Sequence, residues 1–84
     1  MAKRDDRPIQ YEQHARKRMV QRRITEEEVE QVVRHPQRRE VTDHCRERLE
    51  RLFFPSTPKQ NSLIVIVETN KTFIRVISTY WEDA

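Results

Sequence analysis

"HARKRMVQRRITEEEVEQVVRHP", residues 14–36, decides the fold of this chain. In its first half, Ala15 and Met19 are four residues apart, a spacing that repeats one face of a helix. Polar and basic side chains fill the other faces, so one narrow apolar stripe can pack on a core. The pattern predicts a first helix that begins at Glu12 and ends near Arg23.

The second half of this stretch carries the start and stop signals of another helix. Thr25 can accept a hydrogen bond from a free backbone amide while Glu28 bonds back to the amide of Thr25, an arrangement known as a capping box. The glutamates of residues 26–28 suit the positive end of the helix dipole, so we expect no catalytic carboxylates among them. Pro36 ends the helix. The predicted buried stripe is Val29, Val32 and Val33.

The remainder of the chain contains several strand signals. "SLIVIVE" (62–68) and "TFIRVIST" (72–79) are β-branched runs joined by a polar turn, and they predict an antiparallel hairpin. "REVTD" (39–43) also predicts a strand. "DHCRERLERLFF" (43–54) fits a strand and a helix equally well, and residues 9–11 fit a short strand or the lead-in to the first helix.

Length and composition indicate one small domain. The chain has 84 residues, of which 35% are apolar and 37% charged, and a domain of this size buries only about 60% of its unfolded surface. We predict a flexible arm at residues 1–8, a single α+β domain at 9–81 and a C-terminal tail at 82–84. The lone Cys45 excludes an internal disulfide, and no apolar run is long enough for a signal peptide or a membrane span. These features predict a cytoplasmic protein.

Positive charge is segregated along the chain. The 17 Lys and Arg residues exceed the 14 Asp and Glu residues, which gives a net charge of +3. The acidic residues concentrate at 26–30, whereas the basic ones concentrate at 16–23 and 34–51. Such segregation favours a polyanionic partner such as nucleic acid, although a run of charge is often only a solvated face.

The sequence predicts no metal site and no cofactor. The residues His14, His35, His44 and Cys45 lack the spacing of zinc ligands, and only the last two are adjacent. The chain has no glycine, which excludes a glycine-rich loop that cradles phosphate.

His14, Arg18 and Arg22 form a polar stripe on the first helix. They are four residues apart, so successive members turn by only about 40° and the stripe is about 12 Å long. A histidine can move protons near neutral pH, and arginines can hold phosphate and stabilise developing charge. The alternative is a histidine near the core beside ordinary surface arginines.

The last strand offers two hydroxyl groups. Strict alternation puts Ser78 and Tyr80 on the same face as Ile74 and Val76. At that position the two hydroxyls could bind a phosphate or orient His14, and they could equally be satisfied structural groups. Arg75 interrupts an apolar run, and we predict that it reaches the surface or pairs with Glu68. The other predicted face carries Phe73, Arg75, Ile77, Thr79 and Trp81.

These motifs resemble a known family. "HARKRMVQRRIT" followed by "EEEVEQVVRHP" resembles the signature H-A-x-x-R-M-x-x-R-x-I-S/T of the domain of unknown function family 4258 (DUF4258). The closing "IRVISTYW" is similar to that family's last strand, V-x-T-x-Y, and to the R-I-I-S-A-R ending of BrnT-type toxins. The similarity runs from about Ile9 to Trp81. Arg23 departs from the pattern, because the family commonly has Gly there.

The resemblance implies the fold of the ribonuclease toxins grouped around RelE, BrnT, barnase and the colicin nucleases. We therefore expect an α+β domain in which two N-terminal helices pack on a three- to four-stranded, mainly antiparallel sheet, and we favour a strand for "RERLERLFF". In the related toxins the active site lies on the sheet beside the first helix. That arrangement would bring His14 and Arg18 near Ser78 and Tyr80, which match the family's terminal Thr and Tyr by position.

The function implied is a metal-independent ribonuclease of the toxin-antitoxin type. A ribose 2′-hydroxyl would attack the adjacent phosphate, and the resemblance implies catalytic roles for His14, Arg18, Ser78 and Tyr80. Phosphate contacts are expected from Lys17, Arg22 and Arg48. The implied partners are RNA and a small acidic antitoxin protein.

Two alternatives stay open at this point. The same basic face could bind RNA, DNA or an acidic protein without any chemistry. The chain could also be a catalytically silent family member that forms a homodimer through an exposed edge strand.

Overall fold

The computed structural model describes residues 7–42, 45–53 and 61–83. Two helices in succession follow a short first strand, and four strands complete the chain, so the α+β class and the two N-terminal helices are confirmed. Within the described residues, no helix is long and apolar enough to cross a membrane. The elements are β1 (Ile9–Tyr11), α1 (Gln13–Arg22), α2 (Glu26–Arg34), β2 (Arg38–Val41), β3 (Arg46–Phe53), β4 (Asn61–Thr69) and β5 (Ile74–Asp83).

The strands form one five-stranded sheet in the order β1-β5-β4-β3-β2. The prediction of three or four strands was therefore wrong in number, and the sheet is mixed because β1 is parallel to β5 while the other pairings are antiparallel. The additional strand is β1, in residues 9–11, which from the sequence fitted either a short strand or the lead-in to the first helix. Ile9 and Tyr11 pack against the core, which holds this short segment beside β5.

β3 settles the ambiguity in favour of a strand for residues 46–53, and residues 43, 44 and 54 of that stretch lie outside the described residues. It pairs with β4 on one side and with β2 on the other, whereas a helix would leave the backbone of both neighbours unpaired. Leu49 is buried and Phe53 packs against the core, so alternate residues of β3 face the helices.

The link between the helices keeps its shape without a glycine. Arg23 has φ of 56°, the left-handed conformation that favours glycine. The next amide, from Ile24, donates to the carbonyl of Met19 at 2.9 Å and closes the last turn of α1. Arg23 thus adopts, at some cost in strain, a conformation that glycine would adopt more easily.

We predict that Arg23→Gly stabilises the protein by about 0.5–1 kcal/mol. A left-handed conformation costs a residue with a Cβ roughly 1–2 kcal/mol, and the greater freedom of glycine in the unfolded chain offsets part of this gain. Urea unfolding of the two proteins measures the change. Lys17→Gly, at an exposed position inside α1, is the control and should destabilise by about 1 kcal/mol. A loss of stability in Arg23→Gly would contradict the strain assigned to this turn.

α2 begins at the predicted capping box. The amide of Glu28 donates to Oγ1 of Thr25 at 3.1 Å, and the amide of Thr25 donates to Oε1 of Glu28 at 2.9 Å. The helix ends at Arg34, two residues before Pro36. Its valine stripe is buried as predicted, so the local sequence fixes both the ends and the inner face of α2.

Both helices pack on one face of the sheet, and the core lies between the helices and the sheet. The central strand β4 has four apolar residues that are almost fully buried, and three of them, Leu63, Val65 and Val67, belong to this core. Most of the contact of α1 is with β5, whereas α2 covers β4 and β3. The core residues are Ala15, Met19, Ile24, Val29, Val32, Val33, Leu49, Leu63, Val65, Val67, Ile74 and Val76.

The ends of the predicted domain carry contacts. The amide of Ile74 donates to the carbonyl of Pro8 at 2.9 Å, and Arg7 donates to the carbonyl of Asn70 at 2.6 Å. Residues 1–6 of the predicted arm lie outside the described residues. Strand β5 continues to Asp83, so two residues assigned to the tail belong to the sheet.

A β-bulge between β4 and β5 corrects the predicted faces of the last strand. Val67 is opposite Val76 and Ile66 is opposite Ser78, which leaves Ile77 without a residue opposite it. The extra residue reverses the alternation from that point onward. Ser78 and the residues that alternate with it therefore face away from the helices, on the side opposite to Val76.

Candidate functional site on helix α1 and the last strand

The exposed side of α1 holds a contact between a histidine and an arginine. Nε of Arg18 donates to Nε2 of His14 at 3.4 Å, and both side chains are exposed. Donation to Nε2 requires that this nitrogen carries a lone pair rather than a proton. α1 contains no acidic residue over Gln13–Arg22, so the nearest charges along the helix are positive. The pair therefore combines a proton acceptor with a cation suited to phosphate.

Arg16 marks the opposite side of α1. Its guanidinium pairs with Glu26 at the start of α2 at 2.7 Å and lies 4.8 Å from the ring centre of Tyr11. Arg18 is two residues further on, about 200° around the helix. Since Arg16 pairs with α2, the side chains of His14 and Arg18 lie on the side of α1 that is turned away from this contact.

Desolvation by burial raises the pKa of Tyr11, and the negative charge of Glu26 adds to this effect. The phenol therefore stays neutral beside Arg16, and it contributes a ring face rather than an acid or a base.

Arg22 binds α1 to β5. Nη1 of Arg22 donates to the backbone carbonyl of Thr79, and Nε1 of Trp81 donates to the carbonyl of Arg22 at 3.3 Å. Trp81 also makes an edge-on contact with Phe53, with ring centres 6.0 Å apart. Arg22, which the sequence predicts to contact phosphate, therefore holds α1 against β5 in this structure.

The side of the sheet that faces away from the helices is called here the open face. It carries Ser78, Tyr80 and Arg48. Arg48 pairs with Glu50 at 3.3 Å and with Glu82 at 3.2 Å. A side-chain hydrogen bond between Arg48 and Tyr80 is the largest of the effects that raise the pKa of Arg48. On β3, β4 and β5 the open face includes Arg46, Arg48, Glu50, Ile64, Ile66, Glu68, Arg75, Ser78, Tyr80 and Glu82.

The remaining charges of the open face are also paired. Glu68 lies 3.6 Å from Arg46 and 3.9 Å from Arg75. The predicted pairing of Arg75 with Glu68 is therefore confirmed. On β3–β5 three arginines are balanced by three glutamates, and β2 adds one charge of each sign, Arg38 and Glu40. This balance does not make a positive surface, so the open face offers a polyanion less attraction than α1 does.

The comparisons with known proteins identify the family of this chain. The profile of the family described as Domain of unknown function (DUF4258) matches residues 11–81. The chain belongs to this family. No curated protein and no solved structure matches the chain. The family that the motifs indicate is thus confirmed.

In this DUF4258 domain the predicted site residues fall into two groups. His14, Lys17 and Arg18 lie on the exposed side of α1, and Arg22 extends that side to the sheet edge. Ser78, Tyr80 and Arg48 lie on the open face, beyond the sheet from α1. The two groups do not meet, because the β-bulge turns the two hydroxyls away from the helix side. The expectation that Ser78 and Tyr80 approach His14 was wrong.

Three residues of the DUF4258 domain have burial or ion pairs that the sequence did not predict. Thr79 is fully buried, and its Oγ1 has no hydrogen-bond partner among the described residues. Glu50 and Glu82 hold Arg48, and neither carries a motif. Only the strand register, with its bulge, brings these three residues to their places, so no local signal could have identified them.

A cleft of about 500 Å³ runs along one side of α2. Arg51 crosses it and donates to the carbonyl of His35 at 2.9 Å. In the part of the chain that the structure describes, no three His, Cys, Asp or Glu side chains group as a metal site, and His44 lies outside that part. The cleft carries both signs of charge, from Glu27, Glu30, Gln31, Arg34, His35 and Arg51.

Proposed function

We propose that this DUF4258 domain binds RNA through α1 and cleaves it without a metal ion. The observation that carries the proposal is the contact of His14 with Arg18 on a helix that has no acidic residue. A proton acceptor beside a cation is what transesterification of RNA needs, and the surrounding positive charge attracts the phosphate chain.

The reaction would begin with the ribose 2′-hydroxyl. Its oxygen attacks the adjacent phosphorus, and the bond to the 5′-oxygen breaks to leave a 2′,3′-cyclic phosphate. The proton of the hydroxyl passes to Nε2 of His14, whose lone pair is freed when Arg18 turns from this nitrogen to the phosphate. The leaving oxygen takes a proton from water. Arg18 stabilises the charge that develops on the phosphate oxygens, and Lys17 contacts a neighbouring phosphate. Proton transfer of this kind contributes roughly 10²–10⁴ in rate.

The proposal extends to a toxin of the RelE and BrnT type, with a small acidic antitoxin as its partner in the cytoplasm. Its support is the α+β architecture with both helices on one sheet face, together with the positive charge of α1. Arg48, Ser78 and Tyr80 are outside the proposed catalytic centre, since they lie on the open face.

One observation favours a second function, RNA binding without cleavage. His14 is the sole histidine of α1, and the hydroxyls expected to assist it lie on the other face of the sheet. A ribonuclease with a single acid-base group lacks the rate enhancement that a second group would give by protonating the leaving oxygen. The same basic side of α1 would then hold RNA only.

An assay that measures binding and digestion together separates the two functions. Wild type and Arg18→Ala are incubated with a single-stranded RNA at a protein concentration that binds all of it, and growth is followed on induced expression. We expect wild type to cut the RNA and to slow growth, and Arg18→Ala to do neither efficiently. RNA that stays intact while bound would contradict cleavage and support the binding function.

We predict that Lys17→Glu weakens RNA binding and flattens its salt dependence. Each phosphate contact on a single strand contributes about 0.7 to the slope of log affinity against log salt concentration, so the slope should fall by about that amount. Titrations of labelled RNA at several salt concentrations measure it.

Lys71→Glu is the matched control for this change. It makes the same charge change in the turn between β4 and β5, at another exposed lysine. Equal losses of affinity in the two variants would contradict a binding surface on α1 and indicate a response to net charge alone.

A further inference from the structure

The C-terminal end of α1 carries an arginine in a strained conformation. Among the described residues, Arg23 alone has a positive φ. A residue with a Cβ pays for this conformation in free energy, and such strain is found most often where a chain binds a ligand or carries out chemistry. The side chain of Arg23 is therefore a candidate for a binding role, which the motif on α1 did not assign to it.

The guanidinium of Arg23 is available to a ligand. The neighbouring arginines Arg16, Arg18 and Arg22 each donate to another group of the protein. Arg23 is exposed, and within residues 7–42, 45–53 and 61–83 its guanidinium has no hydrogen bond or ion pair. Its charge is thus not neutralised by any of the described side chains.

The carbonyl groups at the end of a helix normally repel an anion. Here three of them already accept hydrogen bonds. The carbonyls of Met19 and Val20 accept from the amides of Ile24 and Arg23, and the carbonyl of Arg22 accepts from the indole nitrogen of Trp81. These bonds reduce the repulsion that a phosphate beside Arg23 would otherwise meet.

Trp81 lies directly beside Arg23. The carbonyl that bonds to its Nε1 at 3.3 Å belongs to the peptide bond between Arg22 and Arg23, so the Cα atom of Arg23 is within about 6 Å of that nitrogen. Trp81 is partly exposed. Phe53 contacts it edge-on, and such a contact covers at most one face of the indole. A fixed, partly exposed indole beside a cation is suited to a stacked base and its phosphate.

We propose that this end of α1 binds one nucleotide of a single-stranded RNA, with the base stacked on Trp81 and a phosphate bound by Arg23. The inference rests on the proposed binding of RNA by α1 and adds a base contact to it. His14 and the end of α1 are about 12 Å apart along the helix, so the stacked nucleotide is a neighbour of the one that meets His14. Stacking favours purines over pyrimidines.

The fluorescence of Trp81 tests the stacked base without any substitution, because Trp81 is the sole tryptophan of the chain. The probes are an adenosine hexanucleotide with 2′-O-methyl riboses, which has no 2′-hydroxyl to react, and the same backbone without bases. Anisotropy of an end label measures binding. We expect the hexanucleotide to quench Trp81 and to bind about tenfold more tightly than the backbone without bases, which should leave the fluorescence unchanged.

The outcomes separate this subsite from the proposed function. Binding of the hexanucleotide without quenching, or equal quenching by both probes, would overturn the stacked base while RNA binding by α1 stands. If no single-stranded RNA binds to the protein, the proposed function and the subsite fail together.

Arg23→Gly tests the phosphate contact. We expect RNA affinity to fall about two- to fivefold although the variant is more stable than wild type, so that the loss cannot come from unfolding. Lys71→Gly removes the same charge in the turn between β4 and β5 and should leave the affinity unchanged. Wild-type affinity in Arg23→Gly, or an equal loss in Lys71→Gly, would overturn the role of Arg23.

Discussion

His14→Ala should lower the rate of RNA cleavage by about 10²–10⁴-fold while the RNA still binds. The substitution removes the group that accepts the 2′-hydroxyl proton, whereas Lys17 and Arg18 still contact phosphate. His14 is exposed and is not part of the hydrophobic core, so the loss of its imidazole should not affect folding. Single-turnover digestion with saturating protein measures the chemical step, and a parallel titration measures binding.

His35→Ala provides a matched control for that experiment. His35 is also exposed, and it caps the C-terminal end of α2, away from α1. Its substitution should leave the cleavage rate unchanged. If His14→Ala cut RNA as fast as His35→Ala does, the catalytic role of His14 would be wrong even if the domain is a ribonuclease. A loss of binding in His14→Ala would assign the residue to phosphate contact instead.

Leu63→Ala should reduce the free energy of unfolding by about 2–5 kcal/mol. Leu63 is fully buried at the centre of the sheet and lies opposite Trp81 of β5. Truncation leaves a cavity in the core next to Trp81, the residue that bonds to the C-terminal end of α1. Urea unfolding followed by circular dichroism measures the loss.

Val20→Ala is the control for Leu63→Ala, because Val20 is 80% exposed on α1. A substitution at such a site should change stability by less than about 0.5 kcal/mol. A small effect at Leu63, comparable to that at Val20, would contradict the packing of the helices on this face of the sheet.

The helices could be predicted from the sequence because their signals are local. The capping box at Thr25 and Glu28, the stop at Pro36 and the spacing of Ala15 and Met19 each act within a turn or two. β1 and β3 were harder to predict, because the short pattern of β1 and the mixed pattern of β3 each fit both a strand and a helix. Only their neighbours in the sheet distinguish the two. Pairing with β4 and β5 decides both cases.

The candidate site could be predicted only in part, for the same reason. The stripe of His14 and Arg18 follows from helical spacing, and the structure keeps those two side chains in contact. The place of Ser78 and Tyr80 depends on a single extra residue, Ile77, opposite the junction of Ile66 and Val67. No local pattern marks this bulge, yet it moves both hydroxyls to the other face of the sheet.

The most direct test of the proposed activity is the chemical end left on RNA by the wild-type protein in the presence of a metal chelator. The domain, purified without nuclease contamination, is incubated with a single-stranded RNA in EDTA, and the fragments are analysed by mass spectrometry. Metal-independent attack by the 2′-hydroxyl predicts fragments that end in a 2′,3′-cyclic phosphate, formed by wild type and not by His14→Ala. Intact RNA under conditions of full binding, or cleavage that requires a divalent metal, would contradict it.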